Sequence, residues 1–205
     1  MEMKQNKLMK HLKRAISKYE SRPVLQCAHY DADGSITVTD SHRLLKIENF
    51  HTNEESFNLN LLTMELNRDN YPDTNHLIPE LEDMPTKLTV SLGALKRALL
   101  SLKTNTSDFT NIDMFDGYIT LSNTSDKNES IEFEVKLNVA IEGDKYPIAF
   151  NTGYLIEAVE FLLDAKDRYA VDNVTIHMTS PVRPAVLKIE DQKYTYLVTP
   201  VRTYK

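Results

Sequence analysis

Asp40, Ser41 and His42 stand side by side in this chain, and a carboxylate, a hydroxyl and an imidazole are the parts of a nucleophilic relay. Such a relay needs its groups to converge from separate elements, and three consecutive residues on one strand-turn segment cannot do so. Asp31, Asp33 and Ser35 open like a calcium loop, but the twelfth loop position is His42 rather than the bidentate Glu that the ion requires. Asp33-Gly34 between two alternating runs reads instead as a hairpin turn. The chain has no phosphate-cradling glycine loop, no dinucleotide fingerprint and no His spacing suited to zinc. These residues imply no enzyme, no metal and no cofactor.

The basic residues carry a clearer chemical signal. The whole chain has a formal net charge of −6, yet residues 1–20 hold five Lys and one Arg against two Glu. At 100° per residue Lys7, Lys10, His11, Arg14 and Lys18 share one stripe of a helix, with Leu8, Leu12, Ala15, Ile16 and Tyr19 opposite. One side of that helix packs and the other is a basic rail suited to a phosphate backbone, which is bound without reading sequence. A second helix buries Leu92, Leu95, Leu99 and Leu102 and turns Lys96, Arg97 and Lys103 outward. A third presents Glu157, Glu160 and Asp164, which repel phosphate, so the expected DNA surface is uneven.

The elements that position these side chains recur. A helix from about Lys4 to Tyr19 precedes alternating runs around 24–30, 35–39 and 43–50. A strand and helix from Lys87 to Leu102 precede runs around 110–115, 117–122 and 130–136. A strand, turn and helix over Ile148–Leu163 precede runs around 174–180 and 185–190 and the ending Tyr194–Arg202. Such a unit cannot bury both faces of its sheet alone, so the copies must pack together. The fold class is α+β: three helix-plus-antiparallel-strand units, with sheets outside and helices on one face.

At 205 residues and 41% hydrophobic content the chain can build a real core. No apolar stretch is long enough to cross a bilayer, and the amino-terminal segment lacks the apolar block of a secretory signal. The single cysteine, Cys27, excludes an internal disulfide and suits a reducing, cytoplasmic setting.

The chain resembles the bacterial replicative sliding clamp, the beta subunit of DNA polymerase III. The resemblance rests on Phe150-Asn151-Thr152-Gly153-Tyr154-Leu155, on Ser180-Pro181 within the hairpin that follows, and on Thr199-Pro200-Val201-Arg202 near the end. Upstream it rests on Arg22-Pro23-Val24-Leu25, on Thr39-Asp40-Ser41-His42-Arg43-Leu44 and on the connector Asn70–Pro79. By motif order, 1–58 resembles the first half of the family's middle domain, 59–83 a linker, and 84–205 the complete last domain. The shortening points to a phage or other mobile element.

The resemblance implies a DNA clamp fold and a polymerase processivity factor that engages double-stranded DNA irrespective of sequence. Lys7, Lys10, Arg14, Lys18, Lys96, Arg97 and Lys103 are the implied DNA contacts. It also implies a pocket that takes a short peptide with Gln, Leu and Phe anchors from a DNA polymerase or other replication protein. Its counterparts here are Leu25, Thr39, His42, Arg43, Leu44, Pro79, Met84, Leu197, Thr199, Pro200 and Val201. Thr199 and Val201 replace two flexible methionines, so a smaller and stiffer pocket is expected. Ser41 stands where the family has glycine. Open strand edges call for a homo-oligomer, a tetramer if a full ring forms. The alternative is an adaptor or decoy that binds such peptides without encircling DNA.

Overall fold

The computed structural model describes residues 3–103, 108–123, 133–166 and 172–202, and these fall into two compact units. One takes residues 2–79 with 191–197, the other 80–190 with 198–205. Of the expected run at 130–136, residues 130–132 lie outside the described part.

The first unit opens with helix α1 (Gln5–Ala15), which buries Leu8, His11, Leu12 and Ala15. Spacings of three and four place these on one face, and that face packs on the strands at Ile36–Thr39 and Arg43–Ile47. The helix ends well before Tyr19 because Ile16 turns extended and the Ser17 amide donates to the Leu25 carbonyl at 2.8 Å. Tyr19 is consequently 74% exposed rather than part of the packing face.

A 3-10 turn (Pro23–Gln26) leads into β1 (Cys27–Tyr30), β2 (Ile36–Thr39), β3 (Arg43–Ile47), β4 (Phe57–Asn60) and β5 (Leu66–Asn67). The antiparallel order β3-β2-β1-β4-β5 buries Cys27, Ile36, Val38, Leu45 and Ile47 on its way. The Asp31–Ser35 segment is the β1–β2 turn: Gly34 donates to the Asp31 carbonyl at 2.9 Å with φ +84°, where a side chain is strained. Ser35 and Lys46 hold the Asp33 carboxyl below its usual range, the serine first. The connector after β5 is tied down by Tyr71, whose ring stacks on His29 at 4.8 Å and whose hydroxyl is pushed up by burial.

The second unit contains β6 (Thr86–Ser91), α2 (Leu92–Lys103), β7 (Phe109–Phe115), β8 (Tyr118–Asn123), β9 (Phe133–Asn138), β10 (Ala140–Glu142), β11 (Ile148–Asn151), α3 (Thr152–Ala165), β12 (Asn173–Met178) and β13 (Ala185–Lys188). Its strands form two antiparallel groups, β10-β6-β12-β13 and β11-β7-β8-β9, and α2 packs against α3 with contacts to β6, β8 and β9, while α3 packs on β11. Strand β14 (Tyr194–Val198) returns to the first unit, pairing beside β3 with all five residues buried.

Both helices of the second unit start at built caps. Ser91 Oγ accepts from the Ala94 amide at 3.3 Å, and Asp172 Oδ2 accepts from the Gly93 amide at 3.3 Å, satisfying donors that a helix start leaves open. Asn151 Oδ1 accepts from the Tyr154 amide at 3.0 Å at the start of α3. The Asn123 side chain donates to the Leu102 carbonyl at 2.6 Å and closes the far end of α2. Strands therefore back the helices on one side, while Arg97, Leu100, Ser101 and Lys103 of α2 face solvent.

Candidate nucleic-acid interface and peptide-docking residues

On α1, Lys7, Lys10 and Lys13 are exposed on the side away from Leu8, Leu12 and Ala15. Lys13 is absent from the stripe drawn by helical projection, although it lies one turn beyond Lys10. His11 is only 5% exposed and belongs to the packing side, so it does not extend the rail as its projection suggested. Lys18 is exposed but lies past the helix end. Arg14 is half-buried, and with Lys13 it sits in the last turn, where cations complement the partial negative charge of the carbonyls.

On α2, Lys96 Nζ lies 3.3 Å from Glu160 Oε1 of α3, so the third helix neutralises part of what the second offers. Arg97 and Lys103 remain exposed. The start of α2, a natural anion seat, is taken by Asp172, which also accepts from Ser91 Oγ and Lys166. The Lys166 contact, ahead of the amide and hydroxyl contacts, holds the Asp172 carboxyl below its usual range.

The segment Thr39–Leu44 joins β2 to β3 as a self-closed turn. Asp40 Oδ1 accepts from the amides of His42 at 2.9 Å and Arg43 at 3.0 Å, and Thr39 Oγ1 donates to the Arg43 carbonyl at 2.6 Å. Asp40, tempting as a catalytic carboxylate, is thus spent on a turn. Ser41 has φ +79°, so the backbone keeps the left-handed geometry that glycine adopts freely and serine does not. Arg43 is 4% exposed: its Nε donates to Asp40 Oδ2 at 3.0 Å and its Nη2 to the Arg14 carbonyl at the end of α1. His42 projects to solvent.

The remaining docking candidates divide by burial. Leu25, Leu44 and Leu197 of the first unit and Met84 of the second are buried. Pro79, Thr199, Pro200 and Val201 are half-exposed. The Val201 amide donates to the Ala149 carbonyl of β11 at 2.7 Å, which fixes the path of the chain end within the second unit. Among the described residues no group of three or more His, Cys, Asp or Glu is placed to hold a metal ion, and no helix is long and apolar enough to cross a membrane.

Known proteins share this fold. The beta sliding clamp of Streptococcus pneumoniae is 27% identical over 237 residues, taking in 92% of this chain and 60% of the clamp. The crystal structure of the DNA polymerase III beta subunit from Thermotoga maritima superposes with a TM-score of 0.82 at 19% identity, covering 97% of this chain and 64% of that one. The beta chain from Streptococcus pneumoniae gives 0.81 at 23% identity, covering 98% and 64%. This chain therefore spans about 60% of the length of the curated relatives it matches. The family model for the C-terminal domain of the beta subunit of DNA polymerase III matches residues 75–202, more than half of the chain, and the chain belongs to that family.

Proposed function

We propose that this chain acts as a processivity factor, holding a polymerase or other replication protein at duplex DNA without reading sequence. The observation that carries the reading is the exposed Lys7-Lys10-Lys13 face of α1, a cationic surface on a chain whose net charge is −6. Lys18 and the half-buried Arg14 follow on the same segment, and the second unit has its own exposed cations in Arg97 and Lys103. A local basic face can bind phosphate while the molecule as a whole stays acidic.

The second part of the proposal is peptide docking through Leu25, Thr39, His42, Arg43, Leu44, Pro79, Met84, Leu197, Thr199, Pro200 and Val201. Support comes from their exposure: Leu25, Leu44, Leu197 and Met84 are buried, whereas the half-exposed Pro79, Thr199, Pro200 and Val201 and the exposed His42 are accessible to a ligand. Arg43 serves by holding the turn rather than by touching ligand. Leu44 is too deeply buried for a charged replacement to report on ligand contact alone, so the accessible His42 and Pro200 are the informative positions.

The two parts are separable by experiment. A labelled peptide with Gln, Leu and Phe anchors and a labelled duplex are titrated by anisotropy against the wild type and against the His42→Ala, Pro200→Asp double variant. The proposal expects peptide affinity to fall at least about 30-fold, the size of a lost anchor contact, with DNA affinity unchanged. Unchanged peptide affinity removes the docking assignment. Peptide binding with no DNA binding by the wild type favours an adaptor that never engages the duplex.

A further inference from the structure

Away from both candidate sites, the second unit carries a cationic patch on the outer face of its β6-β12-β13 sheet. Leu88 and Val90 of β6 and Val174, Ile176 and Met178 of β12 form the buried face, on the side where α2 meets β6. The residues between them project to the opposite face. There the register sets Lys87 directly across from His177, and Thr175 directly across from both Thr89 and Lys188. The Thr89 and Thr175 hydroxyls lie 3.2 Å apart, which puts them on one side of the sheet. Direct cross-strand partners stand about 5 Å apart at Cβ and diagonal ones about 7–8 Å, so the long side chains of Lys87 and Lys188 reach His177 from two sides. Lys87 is exposed, Lys188 is half-exposed, and among the described residues neither is held in an ion pair. Glu142 of β10, the exposed cross-strand partner of Lys87, is the carboxylate that this register adds to the face.

His177 supplies the directional element. The residue is half-exposed, yet its Nδ1 is buried with no hydrogen-bond partner, and Val186 across from it on β13 is fully buried. The accessible edge of the ring is therefore the one that carries Nε2. Burial, and after it the charges of Lys87 and Lys188, push the imidazole below its usual range, so at neutral pH the ring holds a single proton. On Nδ1 that proton would be a buried donor without an acceptor, whereas on Nε2 it faces outward.

We infer that Lys87, Lys188 and the Nε2–H of His177 form a binding site for a small tetrahedral oxyanion, either free phosphate or the terminal phosphate of a nucleotide. Two ammonium groups match the charge of the dianion, and a neutral N–H adds a hydrogen bond to a charged acceptor without a third cation crowding the patch. The site lies within the second unit and does not rest on the DNA or peptide readings.

The test uses sulfate, an anion whose charge is constant around neutral pH, exchanged for chloride at fixed ionic strength. Backbone amide signals of β6, β12 and β13 should move and saturate, and long-range proton–nitrogen spectra should place the His177 proton on Nε2. Sulfate affinity should fall at least about tenfold in Lys87→Gln/Lys188→Gln and in His177→Phe, which keeps a ring but removes the donor. His177→Gln retains an outward N–H and should keep most of the affinity, and Glu142→Gln should tighten binding. All of these side chains are exposed or half-exposed, and circular dichroism checks the fold. Inorganic phosphate and a nucleoside monophosphate titrated in parallel identify the source: equal affinities mean free phosphate, and tighter nucleotide binding means a nucleotide. Shifts that do not saturate, a proton on Nδ1, or lysine and phenylalanine variants that bind sulfate like the wild type overturn the inference. So does duplex affinity that falls together with sulfate affinity in the lysine variant, because the face would then belong to the DNA surface.

Discussion

Replacing Arg43 by Ala separates the structural part of the docking segment from its contact part. In the folded chain the guanidinium is 4% exposed, pairs with Asp40 at 3.0 Å and donates to the Arg14 carbonyl at the end of α1. Truncation leaves one Asp40 oxygen and one helix-terminal carbonyl without this donor. Breaking a buried pair by removing one partner costs about 3–5 kcal/mol, because the partner's charge stays buried. Asp40 keeps its two amide donors, so the lower end, about 3 kcal/mol, is expected. With an m-value of about 2 kcal/mol/M in urea, that displaces the first unit's unfolding midpoint by about 1.5 M. His42→Ala, a change at an exposed side chain, should move it by no more than about 0.5 kcal/mol. The assay is urea unfolding followed by circular dichroism, with Asp40→Asn/Arg43→Met as the double variant that removes both charges. That double variant should be less destabilised than Arg43→Ala alone. A loss below about 1 kcal/mol for Arg43→Ala would refute the assignment of Arg43 as the bolt between the turn and α1.

Other outcomes follow from particular contacts. Ser41→Gly should stabilise by about 0.5–1 kcal/mol in the same assay, since relief of left-handed strain, about 1–2 kcal/mol, exceeds the added freedom of the unfolded chain. Asp172 has a folded-state pKa below its unfolded value, so its contribution is present above the ordinary carboxylate range and is lost as pH falls through the folded pKa. Asp172→Asn should therefore flatten that acid-side loss in thermal melts taken from pH 6 down to pH 2 (about two units either side of an ordinary carboxylate), and an unaltered pH profile would show the cap to be idle. Phe161, fully buried on α3, should cost about 3–5 kcal/mol when cut to Ala, measured by chemical unfolding of the second unit.

The fold was readable where the pattern is local. The α2 helix follows from its leucine spacing, and the structure places it at Leu92–Lys103, one residue beyond the expected end. The strand, turn and helix over Ile148–Leu163 follow from their pattern, and the structure starts α3 at Thr152 with Asn151 as a cap that the pattern alone did not single out. The early end of α1 was not readable, because it depends on Leu25 and Arg43, partners distant in sequence. Strand β4 straddles the boundary drawn at residue 58: Phe57-Asn58-Leu59-Asn60 alternates faintly, and only pairing with β1 makes it a strand. Within the candidate sites, charge and residue type pointed to an exposed lysine face on α1. They could not tell that Lys96 would be paired with Glu160 or that Arg43 would be sealed inside, because burial and pairing are set by tertiary contacts.

The central claim is that exposed lysines on α1 meet DNA phosphates. Its most direct test is the salt dependence of duplex binding for the wild type and for the Lys7→Gln, Lys10→Gln, Lys13→Gln variant, on two unrelated sequences. Each phosphate contact contributes about 0.9 to the slope of log affinity against log salt, so losing three should make the slope shallower by about 2.7 on both duplexes. Identical slopes for the two proteins, or a change on only one sequence, would contradict the account.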